Sequence, residues 1–408
     1  LDVTTQKAVM DMIAELCRSN DMAVLLITHD LGMAAHYADR LVVMKDGLVQ
    51  EQNDVVGLFS NPSQTYTKRL IRATPRLDSA LGDLLVKSDD EAMEILEAGV
   101  SRKPPAEAME LEASASCSSE PLLEVTNLVK EYRIGREKGL LTKVFAKAST
   151  NERQHAQTIR AVDGISFAIQ AGESLGIVGE SGCGKTTTAR AVARLLSVSS
   201  GSIRFAGKAI ENISPDRFVR SPQRRDIQFV FQDPTGSLNP RFTAFRSIAD
   251  PLLRMGKMRR GSALDDKDHE LAYLAGLKPE LLTRFPHQLS GGQKARVGIA
   301  RAIALEPKLI ILEEPTTALD VSVQAIVLNQ LAKLRRDMGL SFLFISHNLN
   351  VVRLICQRVL VMNGGQVVEE GPVDKVLSDP HDDYTRTLID AIPHLEDIVP
   401  KSVLDDWD

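Results

Sequence analysis

Two stretches of the chain, "LLITHDLGMAAHYADR" at 25–40 and "LFISHNLNVVRLICQR" at 343–358, say nearly the same thing 318 residues apart. The offset holds without a gap. Leu1 and Asp2 match Leu319 and Asp320, His29 matches His347, Tyr66 matches Tyr384 and Leu77 matches Leu395, with 28 identities in 77 pairs. That period is far above the roughly 20–50 residues of a solenoid unit. The repeat therefore reads as a duplicated domain, in which 1–77 is the C-terminal end of the first copy. So short a first copy is expected to reflect a truncated reading frame or a trimmed sequence rather than a natural half-domain.

At 408 residues there is room for two or three domains. With 43% apolar and 25% charged residues the composition is that of a globular protein, and a net charge of -5 argues against nucleic acid as a partner. No stretch approaches the roughly 18–20 consecutive apolar residues of a membrane span, so a membrane role is expected to run through a partner. Cys17, Cys117, Cys183 and Cys356 lack paired spacing, which disfavours a disulfide framework or a zinc site. Residues 78–120 are acidic and rich in Ala, Ser and Glu, as a linker with helical turns would be. Residues 136–160 are polar and basic, and read as a long surface loop interrupting a strand pair.

"SLGIVGESGCGKTTTARAVARLL" (174–196) places Gly179, Glu180, Ser181, Gly182, Cys183, Gly184, Lys185, Thr186 and Thr187 between an apolar strand and an amphipathic helix. Glycines let backbone N–H groups turn inward around a β-phosphate, and the helix N-terminus adds its positive end. Lys185 would reach the β/γ oxygens and the Thr186 hydroxyl would enter a Mg²⁺ shell. A thiol at Cys183 sits where an alkylating reagent would fill the phosphate seat. In "KLIILEEPTTALD" (308–320), the apolar run Leu309–Leu312 delivers two carboxylates to a strand's C-terminal edge. By position Glu313 faces the metal and Glu314 faces the attacking water as base or orienting group.

Between them, Ser290, Gly291, Gly292 and Gln293 open a helix whose apolar face runs through Val297, Ala300 and Ile303. With the phosphate loop, "LSGGQ" resembles the signature of ATP-binding cassette proteins. The other marks of that family follow in order: Tyr132 in "LVKEYRIG" for adenine stacking, Gln232 in "FVFQDP", Asp320 after the acidic strand, and His347 in "FISHNL" as the switch histidine. "FQDPTGSLNPR", "EPTTALDVSVQ" and "DYTRTLIDAIP" look like the peptide and nickel importer branch, whose two cassettes are separate or fused in tandem.

The resemblance implies an α/β P-loop NTPase cassette over 121–396, with a RecA-like parallel core sheet, an antiparallel β subdomain and a helical subdomain, followed by a tail at 397–408. It implies an ATPase that couples hydrolysis to import of peptides or similar small solutes. Lys185, Gln232, Glu314 and His347 would be catalytic. The phosphate loop, Tyr132, the signature and Asp320 would bind ATP, and Thr186, Gln232 and Glu313 would hold Mg²⁺. Partners implied are a second cassette, as homo- or heterodimer, integral membrane permease subunits at the cytoplasmic face of the membrane and, indirectly, an extracytoplasmic solute-binding protein. In this family each ATP lies between the phosphate loop of one cassette and the signature of another. One complete cassette cannot close that site within itself, and 1–77 is expected to be loosely held or to dock by improvising.

Two departures bear on activity. Most of the family has Asp where Glu313 stands, and the extra methylene moves the carboxylate by about 1.5 Å. Asn348 replaces the Asp usual after the switch histidine. The rival readings are a soluble cassette ATPase acting on ribosomes or DNA, and a nucleotide-binding module with impaired turnover.

Overall fold

The structure is a computed structural model that describes residues 2–76, 79–84, 120–134, 157–256, 258–317 and 319–393. The N-terminal segment begins with α1 (Val3–Asn20), whose first turn is closed by Asp2 accepting from the Thr5 amide; the left-handed Asp21 ends it. Helix α2 (Leu31–Tyr37) is capped by Asp30 in the same way. Strands β1 (Arg40–Lys45) and β2 (Leu48–Asp54) form a hairpin, turned by Asp46 and Gly47 at positive φ. Helices α3 (Val55–Ser60) and α4 (Thr65–Ala73) cover it, burying Val43, Leu58, Phe59 and Ile71 in a small core.

From residue 120 onward two sheets form. Strands β3 (Leu123–Ile134), β4 (Gln157–Ile169), β6 (Ser200–Phe205) and β7 (Lys208–Ala209) make an antiparallel sheet in the order β4-β3-β6-β7. Strands β5 (Ser174–Val178), β8 (Ile227–Val230), β9 (Leu309–Glu313), β10 (Ser341–Ile345), β11 (Arg358–Asn363) and β12 (Gln366–Pro372) build the second, in the order β12-β11-β5-β10-β9-β8. Strands β11, β5, β10, β9 and β8 run parallel to one another and only β12 is antiparallel. Strands β5, β9 and β10 are buried along their whole length, as expected of parallel strands covered on both faces.

Helix α5 (Lys185–Val192) leaves the end of β5, and α6 (Ala244–Arg254), α7 (Ser262–Leu274) and α8 (Gly291–Ile303) form a helical layer beside the core. The chain closes through α9 (Val321–Met338), α10 (Leu349–Ile355), α11 (Val373–Ser378) and α12 (Asp383–Asp390). Core sheet, antiparallel sheet and helical layer are the three parts expected. One expectation shifts: residues 157–160, read as loop, open β4, because Ile159 pairs with Tyr132. Residues 85–119, 135–156 and 394–408 lie outside the described residues, and with them most of the linker, the inserted loop and the tail.

The repeat persists in three dimensions. Helix α9 has the bounds of α1 displaced by 318 residues, β11 and β12 those of β1 and β2, and even the bulge at Val43/Met44 recurs at Val361/Met362. One element differs. Residues 23–27, the counterpart of β10, form no strand, and Leu25 and Ile27 are each 88% exposed, against 0% and 1% for Leu343 and Ile345. Strand β10 lies between β5 and β9, and 23–27 have no such neighbours among the described residues.

The N-terminal segment does not dock by improvising, which corrects that expectation. Helix α4 packs on α9 and α12 packs on α1. The Asn350 side chain donates to the Pro75 carbonyl at 3.1 Å, while a Cβ placed on Gly32 would stand 3.0 Å from the Pro393 carbonyl. Residues 32 and 350, and 75 and 393, are repeat partners. Contacts in which i meets j and the partner of j meets the partner of i belong to a two-fold arrangement.

Candidate functional site

The loop between β5 and α5 is shaped by glycines that no other residue could replace. Gly179 has φ 142, and a Cβ there would stand 2.2 Å from the Met362 carbonyl; Gly184 has φ 106, and a Cβ would stand 2.3 Å from the Ala161 carbonyl. The loop is thereby pressed against both sheets. Lys185, 7% exposed, donates from Nζ to the carbonyls of Gly179 and Glu180, each at 2.7 Å. Cys183 is only 5% exposed, and burial pushes its thiol above the ordinary range despite the nearby Lys185 charge. The thiol is folded under the loop, contrary to its expected reactivity.

At the end of β9 the side chains of Glu314, Gln232 and His347 meet. Gln232 Nε2 donates to Glu314 Oε2 at 2.8 Å, and His347 Nδ1 lies 3.1 Å from Oε1; the Thr317 hydroxyl donates to Oε2 at 3.2 Å. Glu314 itself has φ 42, a left-handed backbone that is strained for a non-glycine and that recurs at functional sites. Burial acts to raise its pKa, but the bonds from His347 and Thr317 and the Lys185 charge outweigh it, and the carboxyl titrates below its ordinary value of 4.5.

Glu313 is 1% exposed, and neither carboxylate oxygen accepts a hydrogen bond. Its only ion pair among the described residues is Arg190 on α5, at 3.5 Å. Two buried carboxylate oxygens without a hydrogen bond are what a hard cation or its water would satisfy, and Glu313, Thr186 and Gln232 all offer oxygen, the donor type that Mg²⁺ takes. No group of three or more His, Cys, Asp or Glu in ligand geometry occurs among the described residues. A magnesium site completed by substrate phosphates needs none.

Other expected residues lie elsewhere. Tyr132 is on β3, 40% exposed, with the Lys130 ammonium 5.1 Å above its ring. It pairs with Ile159, two residues from the carbonyl that abuts Gly184. Ser290 and Gln293 form a reciprocal capping box at the start of α8, with bonds of 3.3 and 3.0 Å. No hydrogen bond among the described residues joins this signature to the phosphate loop. Asp320 is exposed and makes no capping bond at the start of α9.

Its repeat partner Asp2 does reach the loop, accepting from the Ser181 amide at 3.2 Å, and Thr4 bonds the Glu180 carboxylate. Tyr384 accepts from the Glu180 amide at 2.9 Å. Sequence reasoning did not place Asp2, Thr4, Tyr384 or Arg190 at this site. The pairing of Asp2 with Asp320 was the one signal available.

Comparison with known proteins agrees with this geometry. Residues 162–317 match the model of the ABC transporter family, and 51–99 and 368–401 match that of the oligopeptide/dipeptide transporter C-terminal region. The chain is 40% identical over 400 residues to the glutathione import ATP-binding protein GsiA of Pectobacterium atrosepticum, covering 96% of this chain and 59% of that protein. Against GsiA of Escherichia coli (strain K12) it is 40% identical over 396 residues, covering 97% and 60%. It thus spans about three fifths of the length of these relatives. Among solved structures, the dimeric cassette MJ0796 in a post-hydrolysis state with ADP and Pi aligns at a TM-score of 0.53 and 28% identity, over 62% of this chain and 98% of that one. A cassette from Clostridium perfringens, cbiO1, aligns at 0.52 and 26%, over 64% and 92%.

Proposed function

Because the chain belongs to the ABC transporter family, we propose that it is an ATP-hydrolysing, energy-coupling part of an importer for peptides or related small solutes. The meeting of Gln232, Glu314 and His347 beside the phosphate loop carries this reading. Lys185, released from the Gly179 and Glu180 carbonyls, bonds β/γ oxygens of ATP. Glu314 accepts a proton from water as the water oxygen bonds the γ-phosphorus and the bond to the ADP oxygen breaks. His347 and Gln232 hold the Glu314 carboxylate in place for that transfer. Mg²⁺, when bound, neutralises charge on the phosphate oxygens; Glu313, Thr186 and Gln232 would hold it. A second cassette's signature would face this loop. Glutathione, named for the relatives, is a tripeptide and falls within the proposed solute class.

No helix among the described residues is long and apolar enough to cross a membrane; the importer reading assigns that task to permease subunits. A groove of about 820 Å³ between the core and α6 suits their docking. Phe229 and Phe231 give its lining an apolar part, and Arg224 and Arg301 also line it. Burial and mutual repulsion lower the pKa of Arg301, so a carboxylate on a permease loop would relieve both guanidinium groups. The second reading, a nucleotide-binding module with impaired turnover, draws on the Glu313–Arg190 pair alone.

Replacing Glu314 by Gln separates the two. The amide occupies the same space but accepts no proton, so ATP binding should persist while hydrolysis falls by roughly two orders of magnitude or more. A Glu314→Gln variant that hydrolyses ATP as fast as the parent would sink the proposed role.

A further inference from the structure

The Gly179–Glu180 peptide is held from both sides. Its carbonyl, that of Gly179, accepts from Lys185 at 2.7 Å, and its amide, that of Glu180, donates to the Tyr384 hydroxyl. The first bond must break when Lys185 turns to phosphate; the second need not. Tyr384 stands on a rigid mount. Asp382 accepts from the Tyr384 amide at 2.8 Å, and Glu369 on β12 accepts from the amides of His381 and Asp382 at 2.9 and 3.2 Å, while Thr385 and Leu388 are buried beneath the helix. This mount is repeated: Glu51 accepts from the amides of Ser63 and Gln64 at 2.7 and 3.2 Å, and these three residues are the repeat partners of Glu369, His381 and Asp382. Tyr66, the partner of Tyr384, feels the charge of Asp320 just as Tyr384 feels that of Asp2.

Resting on the proposed ATP site, we infer that Tyr384 is a positioning residue for the phosphate loop, fixing the Glu180 peptide through its amide while Lys185 changes partners. The C-terminal helix α12 thereby becomes part of the nucleotide site's scaffold. Burial pushes the tyrosine hydroxyl up to about 12, so it stays neutral at ordinary pH and its bond is insensitive to the charge of arriving phosphates. Because α12 also packs on α1, whose first turn carries Asp2 and Thr4, residues 180 and 181 are gripped from both halves of the repeat at once.

The test is Tyr384→Phe, which keeps the ring and removes only the hydroxyl, read by amide hydrogen exchange without nucleotide and by calorimetric titration with ADP. Loss of one such bond should speed exchange at Glu180 roughly fivefold and weaken ADP binding by a similar factor. Tyr66→Phe, which touches no part of the loop, should change neither. Unchanged exchange at Glu180 together with unchanged ADP affinity in Tyr384→Phe would overturn the inference. Should that variant fail to fold, the unmodified protein decides. Without nucleotide, its Glu180 amide must exchange roughly fivefold or more slowly than that of Gly182 after correction for intrinsic rates, and equal rates would refute the role. Neither readout needs hydrolysis, so failure here is distinct from failure of the proposed Glu314 chemistry.

Discussion

Glu313→Asp tests how the longer carboxylate is accommodated. Shortening the side chain withdraws the carboxylate by about 1.5 Å. The 3.5 Å separation from Arg190 then opens to about 5 Å. At an effective dielectric of about 20, the attraction falls from about 4.7 to about 3.3 kcal/mol. Arg190 is 45% exposed, so screening reduces the loss to about 0.5 kcal/mol. Removing one buried methylene adds about 0.8 kcal/mol. Without metal, the variant should therefore be less stable by about 1 kcal/mol, a fall of about 2–4 °C in melting temperature. Magnesium should respond in the opposite direction, because the cation no longer competes with Arg190 for the same oxygens. The midpoint of a Mg²⁺ titration, with a non-hydrolysable ATP analogue present, should drop by roughly two- to threefold. Arg190→Ala should tighten Mg²⁺ likewise while destabilising the metal-free protein, since it strands a buried carboxylate. An unchanged melting temperature with an unchanged or weaker magnesium midpoint would refute the competition.

Cys183 should react with maleimide far more slowly than an exposed thiol, since burial both hides it and favours the neutral form; mass spectrometry of the labelled peptide spanning 179–185 checks this. Glu314 has a depressed pKa, so its contribution to stability is fully present above the ordinary carboxyl pKa and disappears as pH falls through the folded-state value. The difference in urea midpoint between the parent and Glu314→Gln should accordingly narrow below about pH 4.5.

What was legible in the sequence is what a few adjacent residues encode by themselves. The phosphate loop announces its glycines because positive φ and close approach to Met362 and Ala161 leave no alternative. The glutamate pair is legible because an apolar strand fixes where its C-terminal end must lie. The meeting of Gln232 with Glu314, 82 residues apart, was reachable only through family resemblance. Contacts between distant elements were not legible at all: Tyr384 meets Glu180 across its own cassette, while Asp2 with Ser181 and Asn350 with Pro75 depend on how two copies of one pattern face each other. Periodicity reports which face a residue occupies and not which surface it meets. Cys183 was misjudged for the same reason, since a loop position says nothing of which side the side chain turns to.

The repeat also shows one sequence position in two electrostatic settings. Asp2 and Asp320 stand at the start of equivalent helices, yet Asp2 is 7% exposed and bonded to a phosphate-loop amide, whereas Asp320 is exposed and caps nothing. The hydrogen bonds that hold Asp2, from the Thr5 hydroxyl first and then the Thr5 and Ser181 amides, outweigh its burial and keep its carboxyl far below the usual range, so it remains an anion at the edge of the proposed phosphate loop. On the proposed ATP site, polyphosphate arriving on that loop would meet this carboxylate as a like charge. Linkage then fixes a reciprocity: by whatever factor nucleotide loosens the docking of residues 2–20, that docking lowers the affinity for nucleotide. Tyr384, holding the neighbouring amide with a neutral hydroxyl, is exempt from this conflict. One grip on the phosphate loop would thus be sensitive to its ligand and the other not, and the two occupy consecutive amides.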